Sequence, residues 1–286
     1  MKWRNRQQST NVEDRRGQSG GGQSRRYTGG RIGIGTIILA IIIYFIGGNP
    51  LSLFTGDGQA PTQAPQTQQT QQANDELASF VKVVLKDCEE VWKKAFADAG
   101  QVYKEPILVL FSGSTTSACG SASASTGPFY CPGDQKLYID LSFYQELSTR
   151  FGAKGDFAMA YVVAHEVGHH VQHLIGNTDK VHRLRGRVSK AEYNRASVKL
   201  ELQADFFAGY WAHHAQKRFN ILEPGDIQEA LNAAQAIGDD RLQKQAQGYA
   251  VEESFTHGTS AQRMYWFKRG WETGDINKGD TFAEMQ

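Results

Sequence analysis

The sequence feature that most constrains the fold is the pentapeptide His165-Glu166-Val167-Gly168-His169. Residues four apart lie on one face of an α-helix, so a helical segment here would direct both imidazoles toward one point, with the Glu166 carboxylate beside them. The flanking sequence predicts such a helix, because Asp156 is a suitable N-cap, apolar residues recur up to Val171, and Gly176 follows as a stop signal. The other interpretation is that both imidazoles are hydrogen-bonded core residues and that the pattern is accidental.

A third metal ligand would decide between these interpretations, because catalytic zinc takes three protein ligands and leaves a fourth position for water. An extended motif with a third histidine would need glycine at position 172 and histidine at position 175. The chain has Gln172 and Ile175 there, so that arrangement is excluded.

The segment Glu201-Leu202-Gln203-Ala204-Asp205 offers a different third ligand on a later helix. One helical turn separates its two acidic residues, so Glu201 can bind Zn²⁺ while Asp205 accepts the second ring N–H of a ligating histidine. The predicted metal ligands are therefore His165, His169 and Glu201, and the predicted general base is Glu166.

With these residues in place, the chain resembles a family of bacterial, membrane-anchored neutral zinc metallopeptidases. The resemblance implies an α+β zincin-like fold of the gluzincin type, mostly helical with a small sheet, that hydrolyses bonds in a peptide or protein substrate. It covers nearly the whole chain except the linker. Its motifs are His165-Glu166-Val167-Gly168-His169-His170-Val171-Gln172, Glu201-Leu202-Gln203-Ala204-Asp205, Gly127-Pro128-Phe129-Tyr130-Cys131-Pro132 and His257-Gly258-Thr259-Ser260-Ala261-Gln262-Arg263.

The same resemblance suggests residues that would contact a substrate. Gluzincins need a donor for the developing oxyanion, for which His257 is the first candidate and Tyr249 the second. The alternative that His257 only caps or braces its segment stays equally open. The strand before the metal-binding helix would hold the substrate by main-chain pairing, which makes Tyr138 and Asp140 cleft candidates, although ordinary strand alternation also explains them.

The first 54 residues predict a membrane anchor. Eight basic residues precede residue 32 against two acidic ones, and residues 32–54 are long and apolar enough to cross a lipid bilayer. The positive-inside rule then predicts a basic cytoplasmic segment at residues 1–31 and a periplasmic catalytic domain on the bacterial inner membrane. A cleaved signal peptide is the main alternative. The basic arm lacks the interleaved aromatic residues typical of nucleic-acid binding, so no nucleic-acid partner is expected.

Two further regions complete the predicted organisation. Residues 55–75, rich in Gln, Thr and Pro, are expected to be a flexible linker, and residues 76–286 the metallopeptidase domain. Within that domain the sequence predicts a packing helix from Asp75 to about Ala99 and strands at 106–111 and 136–141. No signal for an oligomeric state is present.

The cysteines and the remaining histidines are expected to be structural. Cys119 and Cys131 flank a Gly/Ser-rich loop and would form a disulfide in an oxidising compartment, whereas Cys88 would be a buried free thiol. His170 and His173 are interpreted as packing residues or as residues that support the metal ligands, and His213 and His214 as structural residues.

A second class of function also fits the pattern, namely a membrane-tethered binding or scaffold protein with a structural zinc site. A closed structural site needs a fourth protein ligand, which His173 or Asp205 would have to supply. A structural site would have no use for Glu166, so the sequence favours the enzyme.

Overall fold

The computed structural model describes residues 1–17 and 68–285, with side chains in the second range described from residue 71. The predicted α+β architecture is confirmed, with a small sheet and a mostly helical body. The strands are β1 (Val12–Asp14), β2 (Ile107–Phe111), β3 (Ser114–Ser117), β4 (Gly120–Ser123), β5 (Phe129–Cys131) and β6 (Lys136–Asp140). The helices are α1 (Gln68–Asp98), α2 (Phe143–Thr149), α3 (Asp156–Leu174), α4 (Asn177–His182), α5 (Lys190–Phe219), α6 (Asp226–Ala236), α7 (Asp239–Gln247), α8 (Ser260–Thr273) and α9 (Thr281–Glu284).

The main sheet has four strands in the order β1-β2-β6-β5. Strands β1 and β6 run parallel to β2, while β5 runs antiparallel to β6. Strands β2 and β6 are the two strands expected from the sequence, and both are almost wholly buried. Strands β3 and β4 form a separate antiparallel hairpin.

Strand β6 is internal, which corrects the expectation that Tyr138 and Asp140 face a substrate cleft. Tyr138 is 1% exposed and donates its hydroxyl to Asp134. Asp140 accepts the backbone N–H groups of Gly113 and Ser142, so it holds the turns at the end of the strand. The edge strand on this side of the sheet is β5. The sequence pattern does not reveal this, because strand order depends on long-range pairing.

Helix α3 carries the pentapeptide, and nearly all of its residues are buried. Its N-cap is Gly155, one position before the Asp156 expected from the sequence, and Asp156 is its first residue. Gly176 follows the C-terminus with φ +82°, as expected for a stop. Gly168 lies against α5, where an added Cβ would meet the Ala204 carbonyl oxygen at 3.1 Å.

Helices α5 and α8 approach each other through a pair of glycines. A Cβ on Gly209 would lie 2.0 Å from the Phe267 carbonyl oxygen, and one on Gly270 would lie 2.2 Å from that of Phe206. No side chain fits at either position without moving a backbone. The two helices therefore pack backbone to backbone, which brings the buried Arg263 of α8 to the acidic residues of α5.

Helix α1 begins earlier than expected. It starts at Gln68, inside the stretch 55–75 interpreted as a linker. Glutamine and alanine are favourable helix residues, so the end of that stretch can extend the buried amphipathic helix that follows it. The expected free thiol, Cys88, is buried in this helix.

Residues 1–17 pack against the rest of the domain. Strand β1 forms the second edge of the main sheet, and the ring of Trp3 packs edge-on against Phe80 of α1. The Met1 amino group lies 2.6 Å from Asp156 and 3.5 Å from Asp226, within a cluster of carboxylates at the start of α3 and α6. This packing differs from the expectation that residues 1–31 stand apart from the catalytic domain.

The predicted anchor at residues 32–54 lies outside the described residues and stays a prediction. Within residues 1–17 and 68–285, no helix is both long enough and apolar enough to cross a membrane. The predicted Cys119–Cys131 disulfide is present and ties the β3–β4 hairpin to β5.

Candidate metal centre

The structure brings the three predicted metal ligands together. His165 and His169 lie one turn apart on α3, and Glu201 faces them from the neighbouring helix α5. Ligand atoms from all three lie within 4.8 Å of one another. The Glu201 Oε2 atom is 3.3 Å from the Nε2 atom of His165 and 3.5 Å from that of His169.

These separations fit a tetrahedral zinc ion. With zinc–ligand bonds of about 2.0–2.2 Å, tetrahedral ligand atoms lie about 3.3–3.6 Å apart. Two imidazole nitrogens and one carboxylate oxygen form a donor set that zinc commonly takes in catalytic sites. His165 and Glu201 are buried, whereas His169 is partly exposed, which leaves the cluster accessible from one side.

The second nitrogen of each imidazole is held by a hydrogen bond. His165 donates from Nδ1 to Asp205 at 2.8 Å, as the sequence predicted for the two acidic residues of α5. His169 donates from Nδ1 to the amide oxygen of Gln172 at 2.9 Å. Gln172 is fully buried and in turn donates to the Leu200 carbonyl at 2.6 Å. Both rings are thus oriented with Nε2 toward Glu201.

Asp205 is itself fixed by a buried network. Its carboxylate accepts two hydrogen bonds from the Arg263 guanidinium, at 2.8 and 3.0 Å, and one from the Tyr161 hydroxyl at 2.5 Å. Burial raises the pKa of Asp205, but the charges of Arg263 and His165 and their hydrogen bonds together lower it to about 2. Asp205 is therefore a charged acceptor at neutral pH, and Arg263 neutralises it inside the protein.

The metal-free cluster favours protonated imidazoles and an ionised glutamate. Burial lowers the pKa of His165, but Asp205 and Glu201 together raise it by more than burial lowers it, so that it reaches about 9. Burial lowers the pKa of His169, but the charge and hydrogen bond of Glu201, together with the Glu166 charge, raise it above its usual value. The imidazoles hold the pKa of Glu201 well below its usual range despite its burial. A divalent cation would replace these protons as the positive charge of the cluster.

Glu166 lies beside the cluster, and burial raises its pKa. The charges of His169 and His165 oppose this shift, as does the nearby backbone N–H of Tyr130. Tyr130 belongs to β5, so the outer edge of the sheet runs past the candidate base. A carboxylate with a raised pKa next to a metal site has the proton affinity that a general base needs.

His170 links that edge strand to the metal-binding helix. It is fully buried, accepts the Tyr130 hydroxyl at Nδ1 (3.0 Å) and donates from Nε2 to the Lys104 carbonyl (2.6 Å). Burial lowers its pKa to about 4, so the ring is neutral and keeps one tautomer. The interpretation of His170 as a packing residue agrees with these contacts.

His257 is a partly exposed residue near the cluster. It donates from Nδ1 to Asp239 at 3.1 Å, and its backbone N–H donates to the other oxygen of the same carboxylate at 2.6 Å. Burial lowers the pKa of His257, but Asp239 and then Glu201 raise it above its usual value. The next residue, Gly258, lies against the side chains of Val198 and Leu202, so His257 lies beside the helix that carries Glu201. Tyr249, the second candidate donor, is 61% exposed.

The other histidines have partners elsewhere. His173 accepts from the Gln135 amide at 3.4 Å and packs against Tyr130. His213 and His214 donate to the carbonyls of Trp271 and Gly274 near the end of α8. These contacts agree with the structural interpretation of all three residues.

Sequence reasoning missed the supporting roles of Gln172, Asp239 and Arg263. Gln172 stands three residues after His169, so helical spacing alone could have suggested the contact. Asp239 and Arg263 come from separate elements, α7 and α8, and no local pattern marks them. Arg263 belongs to a motif that carries the family resemblance, but its partner Asp205 is visible only in the folded chain.

Comparison with known proteins agrees with this site. The chain belongs to the family described as "Putative neutral zinc metallopeptidase", whose pattern it matches over residues 1–282. It is 48% identical to the uncharacterized protein YpfJ of Escherichia coli K12 over 288 residues, covering 99% of both chains. It is 45% identical to the uncharacterized protein Rv2575 of Mycobacterium tuberculosis H37Rv over 207 residues, 68% of this chain and 67% of the relative. No solved structure matches.

Proposed function

We propose that this protein is a zinc-dependent metallopeptidase. The observation that carries the proposal is the spacing of Glu201 Oε2 from the two Nε2 atoms, 3.3 and 3.5 Å, which suits a tetrahedral zinc ion with one open position. The buried Glu166 beside that position supports catalysis, because a site that only stabilises the fold needs no base.

The mechanism assigns one task to each nearby side chain. A bound zinc ion would supply a Lewis acid that polarises the scissile carbonyl and acidifies water. Glu166 takes a proton from the attacking water and returns it to the nitrogen of the leaving amine. His257, held by Asp239 with a raised pKa, donates a hydrogen bond to the oxyanion.

The substrate that suits this site is an extended peptide segment. Among the described residues, strand β5 pairs with β6 on one side only and passes Glu166 on the other, so that edge offers main-chain groups to a peptide. Pairing with an exposed sheet edge is a common way to bind extended chains. We propose β5, in place of β6, as the strand that aligns the scissile bond.

The alternative is a binding or scaffold protein with a structural zinc site. A fourth ligand would have to come from Asp205 or His173. Asp205 already accepts hydrogen bonds from His165, Tyr161 and Arg263, and His173 is bonded to Gln135. Both candidates are engaged elsewhere, which favours a site with an open position.

We further propose that the catalytic domain acts outside the cytoplasm. The Cys119–Cys131 disulfide supports an oxidising compartment. Membrane attachment through residues 32–54 stays a prediction from the sequence and is separate from this proposal.

Activity of the purified chain on a mixed peptide library tests the proposal. We expect cleavage that stops with a chelator and returns with added zinc, and no cleavage by the Glu166→Gln variant at equal zinc content. Tight zinc binding without cleavage of any peptide in wild-type protein would support the scaffold alternative instead.

A further inference from the structure

Residues 1–17 form part of the catalytic fold. The β1 strand extends the main sheet, with the Leu108 N–H donating to the Asn11 carbonyl at 2.9 Å and the Arg15 N–H donating to the Leu110 carbonyl at 2.8 Å. Val12 packs against the main hydrophobic core. Without this strand, one side of the largely buried β2 would lose its backbone partners, which is costly.

Side chains of this segment also compensate buried acids on α1. Arg6 binds Asp87 with two hydrogen bonds of 2.6 Å, and Asp87 is 3% exposed. Burial raises the pKa of Asp87 to about 6 even with Arg6 in place. Ser9 and Asn11 donate to the buried Glu89 at 2.5 and 2.8 Å. Buried carboxylates need such partners, so the buried acids of α1 depend on residues 1–17 for their hydrogen bonds.

We infer that residues 1–17 and 68–285 lie on the same side of the membrane, as parts of one folded unit. A single crossing by residues 32–54 would put them on opposite sides and separate Arg6 from Asp87. Two crossings need about forty apolar residues, which is more than the stretch 32–54 contains. The observed packing is thus incompatible with the expected orientation, in which the N-terminus is cytoplasmic and the catalytic domain is outside.

Cysteine labelling of the full-length chain in intact cells tests this inference. Gln8→Cys reports on the N-terminal segment and Ala246→Cys on the catalytic domain, because both positions are exposed. The parent chain is the control, since Cys88 is buried and the other two cysteines are paired. A membrane-impermeant maleimide should label both variants before permeabilisation, or both only after it. Labelling of one variant before and the other only after permeabilisation would overturn the inference.

A second measurement tests whether the segment is docked. Arg6→Ala should lower the Tm of the purified full-length chain, and in the double variant with Asp87→Asn the loss should be smaller than the sum of the two single losses. Arg4→Ala is the matched control, because its ion pair with Glu76 is exposed and should contribute little. An Arg6→Ala variant with the Tm of the control would contradict docking.

Discussion

The Nδ1 atom of His165 lies 2.8 Å from Asp205 Oδ1, while the Nε2 atom of the same ring faces Glu201 at 3.3 Å. One imidazole therefore joins the candidate metal position to a buried arginine–aspartate pair. Asp205 is charged and cannot turn away, because Arg263 and Tyr161 occupy the rest of its carboxylate. The orientation of the first ligand is fixed before any metal binds.

Replacing the candidate base should separate catalysis from metal binding. Glu166→Gln keeps the shape of the side chain but removes its ability to take a proton, so kcat should fall about 10²- to 10⁴-fold. Zinc content and Tm should stay near the wild-type values. Glu272→Gln, an exposed glutamate of α8, is the matched control. Wild-type turnover by Glu166→Gln would remove Glu166 from the mechanism.

Zinc affinity should respond in graded steps to changes around the ligands. Glu201→Ala should abolish tight binding, because two imidazoles leave the metal under-coordinated. Asp205→Ala and Gln172→Ala should each weaken binding about 10- to 100-fold, since each frees one ligating ring to rotate. Metal content and competition with a chelator measure this series on folded protein. One tightly bound zinc in Glu201→Ala would place the third ligand elsewhere.

Zinc binding should release protons and strengthen as the pH rises. The raised pKa of His165, about 9 without metal, means that its ring is protonated at pH 7 and that zinc must displace this proton. Affinity should therefore rise by up to about tenfold per pH unit for each proton displaced, and level off above pH 9. Calorimetry in buffers of different ionisation enthalpy counts the protons. A pH-independent affinity between pH 7 and 8.5 would show that His165 is neutral before binding.

The two candidate oxyanion donors can be distinguished by substitution. His257→Phe should lower kcat about 10²- to 10³-fold with zinc retained, because it removes the donor. Asp239→Asn should have a smaller effect in the same direction, since it weakens the positioning of the ring. Tyr249→Phe should leave kcat unchanged, because Tyr249 is exposed. The reverse pattern, with Tyr249→Phe the slower enzyme, would reassign the role.

Local sequence patterns were sufficient to predict the candidate metal ligands but not the residues and the strand that surround them. Helix geometry predicts that His165 and His169 share a face, and the need of catalytic zinc for a third ligand points to Glu201 on a later helix. The contact between Asp239 and His257 could not be predicted, because it forms only when α7 packs against the start of α8. The role of β5 as the edge strand depends on strand order, which is a property of long-range pairing.

For residues 1–17, the charge pattern could not reveal the packing that the structure shows. Eight basic residues before an apolar stretch match the pattern of a membrane anchor, and charge counting treats all of them as solvated. Arg6 instead has a specific buried partner in Asp87, 81 positions along the chain. Composition cannot distinguish a basic residue that flanks a membrane from one that neutralises an acid in the core.

The missing side chain at Gly168 has a consequence for metal selectivity. This residue lies between the two ligating histidines of α3 and against the backbone of α5 at Ala204, three residues after Glu201. The distance between α3 and α5 thus sets the distance from the histidine nitrogens to the Glu201 carboxylate. A methyl group at position 168 would push the two helices apart. A greater distance between the ligand atoms would suit a larger cation with longer bonds, so the single hydrogen atom of Gly168 keeps the two helices close enough for the proposed zinc ion.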